Sequence, residues 1–306
     1  MEKYYKRWFL ILACPAVLLF LLVIMIPFLT GVIYSFTGWR GTYFVQLVGG
    51  NPQRVDGFWE AFVGLKNYVL AFKSSEFRNA FLYTLKFTLV AVIVINIVSL
   101  SLALLLSKIQ RFAGVFRAIY FLPNLLGGLA LGFIWGFVFE IVFSQILFGS
   151  GGLISIPFLT HMTQDNLKAL FALVILATWQ MAGYMLLIYI NGLNNVPSDI
   201  YEAAKIDGSN GTNTFFKITL PMLMPSITIV FFLTLANCFK LLDQNVALTD
   251  GNFGTRLLSL QILQTTQDTV PPNYGLAQAQ AVIFFVLIAV VALIQLSITK
   301  KREVEV

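Results

Sequence analysis

Between Ile190 and Pro221 the sequence carries a run whose residue types and spacing could grip another protein. It reads Glu202-Ala203-Ala204, then Asp207-Gly208-Ser209, then Phe215, Ile218, Leu220-Pro221 and Pro225. Pro197-Ser198-Asp199 supplies helix-start signals, with Ser198 or Asp199 as the expected cap. Ile200, Ala203 and Ala204 place small and apolar groups on one face, and Gly208 admits the positive φ of a sharp turn. Phe215, Phe216 and Ile218 form a second apolar face that leads into the next apolar run. The chemistry is docking. Two short helices meeting at a turn make a compact, partly apolar knob.

A second set of polar groups sits inside otherwise apolar runs: Asn96, Ser99, Ser101, Thr178, Gln180, Thr234, Asn237, Gln278 and Gln280. Neutral amides and hydroxyls suit a neutral polyol-like solute, and Asn96, Gln180 and Asn237 are the candidates for a solute path. The same groups also join helix to helix, at ~0.6 kcal/mol per contact, and for any one residue that is the default role. Several chemistries lack material. No Gly is followed by Lys, so the chain has no G-x-x-x-x-G-K-[ST] phosphate loop. His161 is the sole histidine, read as a solvated loop residue, and Cys14 and Cys238 are the only cysteines. No metal site, cofactor or catalytic constellation is expected, so the chain is not read as an enzyme.

The elements that must carry these groups are membrane spans. Apolar side chains make up 58% of the 306 residues and charged ones 11%, far from globular averages. Six runs, Trp8–Leu29, Phe87–Ser107, Ala118–Phe139, Ala169–Ile190, Ile218–Phe239 and Leu276–Thr299, contain no Asp, Glu, Lys or Arg. Each is long enough, at ~1.5 Å per residue, to cross a hydrocarbon core of ~30 Å. The reading is one all-α transmembrane domain over 1–306, with spans near 8–36, 80–107, 114–139, 167–190, 218–240 and 276–299 and a docking loop over 191–217. Ionisable groups at membrane depth cost ~2.5–3.5 kcal/mol each on insertion scales and mark ion-coupled carriers. These span interiors have none.

The net charge of +6 is distributed as topology requires, so no nucleic-acid partner is expected. Lys3, Lys6 and Arg7 precede the first span, and Lys300, Lys301 and Arg302 follow the last. Lys108, Arg111 and Arg117 lie in the second loop, Lys205 and Lys217 in the fourth. By the positive-inside bias both termini and loops two and four are cytoplasmic. The segment Thr37–Asn79 carries five cations but is long, and long segments translocate largely regardless of charge. Ile11-Leu12-Ala13-Cys14 faintly resembles a lipoprotein cleavage box, yet the apolar run continues past it, so an uncleaved helix is expected. Gly128, Gly132 and Gly136 recur every four residues, a smooth ridge for close helix approach, whether sliding or static.

The docking run resembles the EAA loop of binding-protein-dependent ABC importer permeases, with Ser209 where that family usually has Ala. Phe62-Val63-Gly64-Leu65-Lys66-Asn67-Tyr68, Leu242-Asp243 to Leu248-Thr249-Asp250-Gly251, and Tyr274-Gly275-Leu276-Ala277 resemble the sugar-permease branch. Gly251-Asn252-Phe253 departs from the usual Gly-Gly-Pro. The resemblance implies a type I importer permease fold in the inner membrane, with Glu202, Ala203, Ala204, Asp207 and Gly208 as its ATPase-coupling loop, Glu202 as the charged contact and Ala203, Ala204 and Gly208 allowing close approach. It also implies a second permease, two ATPase subunits and an external solute-binding protein that delivers a sugar or related polyol. The alternative reading is a secondary transporter for a small neutral solute, opposed by the charge-free spans.

Overall fold

The computed structural model describes residues 2–48, 51–109, 111–267 and 270–301, with side chains left out for 2–8, 10, 47, 48, 51 and 52. Arg302 and the side chains of Lys3, Lys6 and Arg7, counted above among the terminal cations, lie outside that description. Contacts divide the chain into two compact units: Met1–Arg78 with Ile262–Val286, and Asn79–Gln261 with Leu287–Val306. Among the described residues, five helical stretches are long and apolar enough to cross a membrane. They are Ile11–Tyr34, Ser75–Leu106, Gly128–Leu147, Asn166–Asn194 and Tyr274–Lys300. A sixth is a pair, Gly211–Met222 and Met224–Phe239, bent by 69°.

In the first unit, α1 (Glu2–Phe20) runs through a wider turn at Leu21–Met25 into α2 (Ile26–Tyr34). The chain then forms an antiparallel hairpin, β1 (Phe44–Val48) with β2 (Asn51–Val55), an element that the all-α reading did not contain. Next comes α3 (Lys66–Lys73). The Asn67-Tyr68 pair has a structural job here. Asn67 is buried and its Nδ2 donates to the carbonyls of Ser35 (2.8 Å) and Thr37 (2.9 Å), while Tyr68 shares a 2.6 Å hydrogen bond with the Ser35 hydroxyl. Those carbonyls lie where α2 has ended and the helix no longer pairs them. Gly275 closes against the same stretch: its N–H donates to the Trp39 carbonyl at 3.0 Å, and a Cβ there would strike the Thr37 carbonyl.

The second unit holds most of α4 (Ser75–Leu106) and then α5 (Ala113–Phe121). Here the third expected span, 114–139, is corrected. A 3₁₀ turn at Leu122–Leu125 and extended backbone at Leu126 and Gly127 separate α5 from α6 (Gly128–Phe137). Gly127 and Gly128 are weak helix formers, and a charge-free composition cannot register a backbone break. The helix restarting at Gly128 continues as a wider coil over Val138–Leu147 and so includes Glu140. Glu140 thus falls inside a membrane-length stretch, as do Glu76, Arg78 and Lys86 in Ser75–Leu106 and Lys168 in Asn166–Asn194, so these stretches are not wholly charge-free. Glu140 accepts from the Thr163 hydroxyl at 2.8 Å and sits 3.5 Å from His161 Nδ1. His161, read as merely solvated, therefore has a carboxylate partner.

The helix α7 (Asn166–Asn194) starts at Asp165, whose carboxylate accepts from the N–H groups of Leu167 (3.0 Å) and Lys168 (3.1 Å). After it come α8 (Ser198–Ile206), α9 (Gly211–Thr214), a wider turn at Phe215–Thr219, α10 (Leu220–Met222) and α11 (Met224–Phe239). Pro221 and Pro225 stand in the first turns of α10 and α11, on either side of the bend. A proline inside a helix removes one backbone hydrogen bond and crowds the preceding turn, which fixes the bend there. The expected span 218–240 is thus straight only from Met224 onward. The short α12 (Asp243–Leu248) and α13 (Leu258–Gln267) precede the last helix, α14 (Tyr274–Lys300).

The glycine ridge divides. A Cβ at Gly128 would press on Asp243 and Gln244, and one at Gly132 on Ala247, so both glycines seat α12 against α6. Gly136 faces open space. The tighter approach lies elsewhere, at Gly183 of α7, where a Cβ would overlap the backbone carbonyl of Tyr120 in α5. Gly183→Ala should therefore destabilise the detergent-solubilised protein by about 1–3 kcal/mol, as overpacking does. Gly136→Ala should stay within about 0.5 kcal/mol. Thermal melts followed by a core-thiol dye at Cys238, which is buried, read both. Equal melting of the two variants would contradict the close approach.

Candidate functional site

The docking run folds as two short helices. Its N-terminal cap differs from the expectation: Pro197 occupies that position, and no side chain caps α8, while Ser198 turns to Asp199 at 3.3 Å. The C-terminus is built as read. Asp207 ends the helix and Gly208 takes φ +73°. Its N–H donates to the Lys205 carbonyl (3.1 Å), and Ser209 N–H donates to the Ala204 carbonyl (2.9 Å). This is the Schellman pairing, in which a left-handed residue lets two late N–H groups satisfy the orphan carbonyls of the last turn. Asn210 then caps α9, its Oδ1 accepting from Asn213 N–H at 2.8 Å.

Burial sorts the faces of α8. Ala204 is buried, whereas Glu202, Ala203, Asp207 and Gly208 are exposed. Ile206, one helical turn from Glu202, is 86% exposed, and Phe216 is 61% exposed. Nothing lies within 4 Å of a Cβ built on Gly208, so its constraint is the backbone conformation alone. Tyr201 ties the knob to the helix beyond it through a 3.3 Å hydrogen bond between its hydroxyl and that of Thr219.

The three amides proposed for a solute path part company. Gln180 and Asn237 line one polar cavity of about 300 Å³, with Asn124, Lys240, Asp243 and Gln244. Gln180 Oε1 accepts from Gln244 Nε2 at 2.7 Å. Asn96 is not among the lining residues. Its Nδ2 donates to the Val92 carbonyl (2.8 Å) and the Thr234 hydroxyl (3.1 Å), and its Oδ1 accepts from Tyr189 at 2.7 Å. Asn96 is helix glue, the default role stated for such a residue.

Four of the cavity residues were missed in the sequence. Asn124 lies in the 3₁₀ turn inside what read as one straight span, and Lys240 and Asp243 stand just past the end of another. The Leu242-Asp243 match marked this segment without giving its role. Its shape depends on Asn245, which is fully buried. Asn245 Nδ2 donates to the Thr249 hydroxyl (2.9 Å) and the Thr255 carbonyl (3.0 Å), and Oδ1 accepts from Leu257 N–H (3.0 Å). One amide thereby closes the loop that presents Asp243 and Gln244.

Residues 110–304 match the family described as binding-protein-dependent transport system inner membrane component. The chain is 38% identical to the probable starch degradation products transport system permease protein AmyD of Thermoanaerobacterium thermosulfurigenes, covering 99% of this chain and 98% of that protein. It is 32% identical to the multiple sugar-binding transport system permease protein MsmF of Streptococcus mutans, over 99% and 98% of the two chains. A chain of a bacterial ABC transporter involved in the import of the acidic polysaccharide alginate superposes with a TM-score of 0.72 at 19% identity. That superposition covers 98% of each chain and shows the fold is shared.

Proposed function

The chain belongs to the family of inner-membrane components of binding-protein-dependent transport systems, and from that premise we propose that it is the permease subunit of an ATP-driven importer of a sugar or related polyol. An external binding protein delivers the solute, a second permease completes the pathway, and separate ATPase subunits dock on the 191–217 loop. Both termini and that loop face the cytoplasm. The observation that carries the reading is the exposed Glu202 on a knob closed by the left-handed Gly208. The carbohydrate assignment draws on the names of the starch-product and multiple-sugar permeases.

The knob accounts for coupling by shape and charge. Glu202 is a carboxylate available to an arginine of the ATPase, and Ala203 and Gly208 let a cleft wall come close. ATP closes the ATPase dimer and moves the docked knobs, and the permeases pass from inward-open to outward-open. A ligand shifts such an equilibrium only through its differential affinity for the two states. ATP and the loaded binding protein must therefore both favour the outward-open state.

The neutral amides Gln180 and Asn237 match a hydroxyl-rich solute, which can accept from and donate to each. Lys240 and Asp243 at the same cavity add charged hydrogen-bonding partners, which hold sugar hydroxyls more strongly than neutral ones do. Asn96, saturated within the protein, drops out of the path.

Gly208→Val should impair ATP-dependent uptake severely, because left-handed backbone costs roughly 1–2 kcal/mol for an ordinary L-residue and a branched chain fills the docking face. Ser209→Ala should be nearly silent. Glu202→Ala should weaken pull-down of the ATPase while membrane insertion stays normal. Normal uptake and normal pull-down in both Gly208→Val and Glu202→Ala would remove the loop from the coupling role. Orientation is read separately: a cysteine replacing Asp207 should react with membrane-impermeant maleimide in inside-out vesicles and not in intact cells, and the reverse pattern would invert the topology. For the solute path, Gln180→Leu and Asn237→Leu should each lower uptake by about tenfold, one lost hydrogen bond's worth. Asn96→Leu should instead lower the melting temperature. If Asn96→Leu alone impaired uptake, with unchanged melting, the path would have to be redrawn.

A further inference from the structure

A second cavity, of about 360 Å³, lies behind the docking helix, and nothing in the transport reading uses it. Its lining includes Lys108, just past the end of α4, and Lys205 on α8, together with Tyr201, Ser209 and Thr214. Leu104 and Phe215 add an apolar wall, and no carboxylate lines it. Among the described residues neither lysine is in an ion pair. Two unpaired cations, several hydroxyls and one apolar wall form an amphipathic, anion-selective pocket. We propose that this cavity binds the phosphate group of an anionic membrane lipid, with its glycerol and upper acyl carbons against Leu104 and Phe215.

Three observations favour a lipid over a soluble anion. In the proposed topology Lys108 follows closely on the cytoplasmic end of a membrane-length helix that stops at Leu106, which would put the cavity near the membrane surface. Basic pockets between helices on the cytoplasmic side are where anionic headgroups bind. The apolar wall is of use to a lipid and of none to a free phosphate ion. The position is also compatible with ATPase docking. Tyr201 and Lys205 are one helical turn apart on one stripe of α8, while Glu202 and Ile206 are on the next, so lipid and ATPase address different faces. A lipid held there would brace α8 from behind, with the membrane surface as its support. The site is independent of which solute is carried.

The test uses the full chain in a neutral detergent, with binding read from the shift of its melting transition. Three probes are titrated: short-chain phosphatidylglycerol, phosphatidylcholine of the same chain length, and inorganic phosphate. Each lysine near an anionic surface is worth about fivefold in affinity. Phosphatidylglycerol should therefore bind about 25-fold more tightly than phosphatidylcholine, with a loss of about fivefold in each of Lys108→Gln and Lys205→Gln and of the whole preference in the double variant. Lys217→Gln, on the same loop but outside the cavity, should keep it. Both cavity lysines are exposed, so the variants should melt as the parent does without lipid. Lysine-dependent binding of inorganic phosphate as tight as that of phosphatidylglycerol would overturn the lipid and leave a soluble anion as the ligand. Equal binding of the two lipids, or a preference that survives the double substitution, would overturn the site itself.

Discussion

Wherever a helix ends or breaks, backbone N–H and C=O groups lose their helical partners and must be met by other groups of the protein or by solvent. The organisation of this chain follows from that requirement. Where α5 gives way to α6, the Tyr120 carbonyl lies directly against Gly183, a position open only because α7 has no side chain there. Where α11 ends, Asn245 supplies two donors and an acceptor to the adjoining loop. Where α2 ends, Asn67 takes up two carbonyls. The breaks are also where the polar chemistry is concentrated: Asn124 comes from one, and Lys240, Asp243 and Gln244 come from another.

This explains how far the sequence could be read. Long runs without charge are a property of composition, and composition located the membrane-crossing segments. It could not locate their breaks, because Leu122-Pro123-Asn124-Leu125 and Leu126-Gly127-Gly128 are as free of charge as the helices beside them. The misplacement of the third span and the overlooked Glu140 are one error seen from two ends. The turn of the docking run, by contrast, was legible because it depends on a single residue, a glycine that adopts φ +73° at low cost, whereas the Asn210 cap of α9 was not read from the sequence. Its first cap was misassigned because Ser198 and Asp199 both fit the residue preference, while the helix begins one position earlier and turns those side chains to each other.

The amides show the limit more sharply. Asn96, Gln180 and Asn237 are chemically alike and similarly surrounded by apolar neighbours in the chain. What separates them is the partner set, and that comes from helices distant in sequence. Asn96 meets Tyr189 and Thr234, which use its donor and acceptor, whereas Gln180 and Asn237 open onto a cavity. Spacing carries no information about which of two like side chains will be saturated by a third helix.

A chain of contacts runs from the knob toward the cavity. The knob's Schellman turn satisfies the carbonyls of Ala204 and Lys205 at the end of α8. The Tyr201–Thr219 bond crosses from α8 to the segment just before Pro221, on the knob side of the 69° bend. Beyond the bend, α11 is straight from Met224 to Phe239, with Thr234 held to Asn96 along the way and Asn237 facing the cavity near its end. In the proposed transport cycle a displacement applied at Glu202 would pass through the 3.3 Å Tyr201–Thr219 bond to the proline-marked bend and emerge as a tilt of α11, whose far end carries Asn237 and, just beyond it, Lys240.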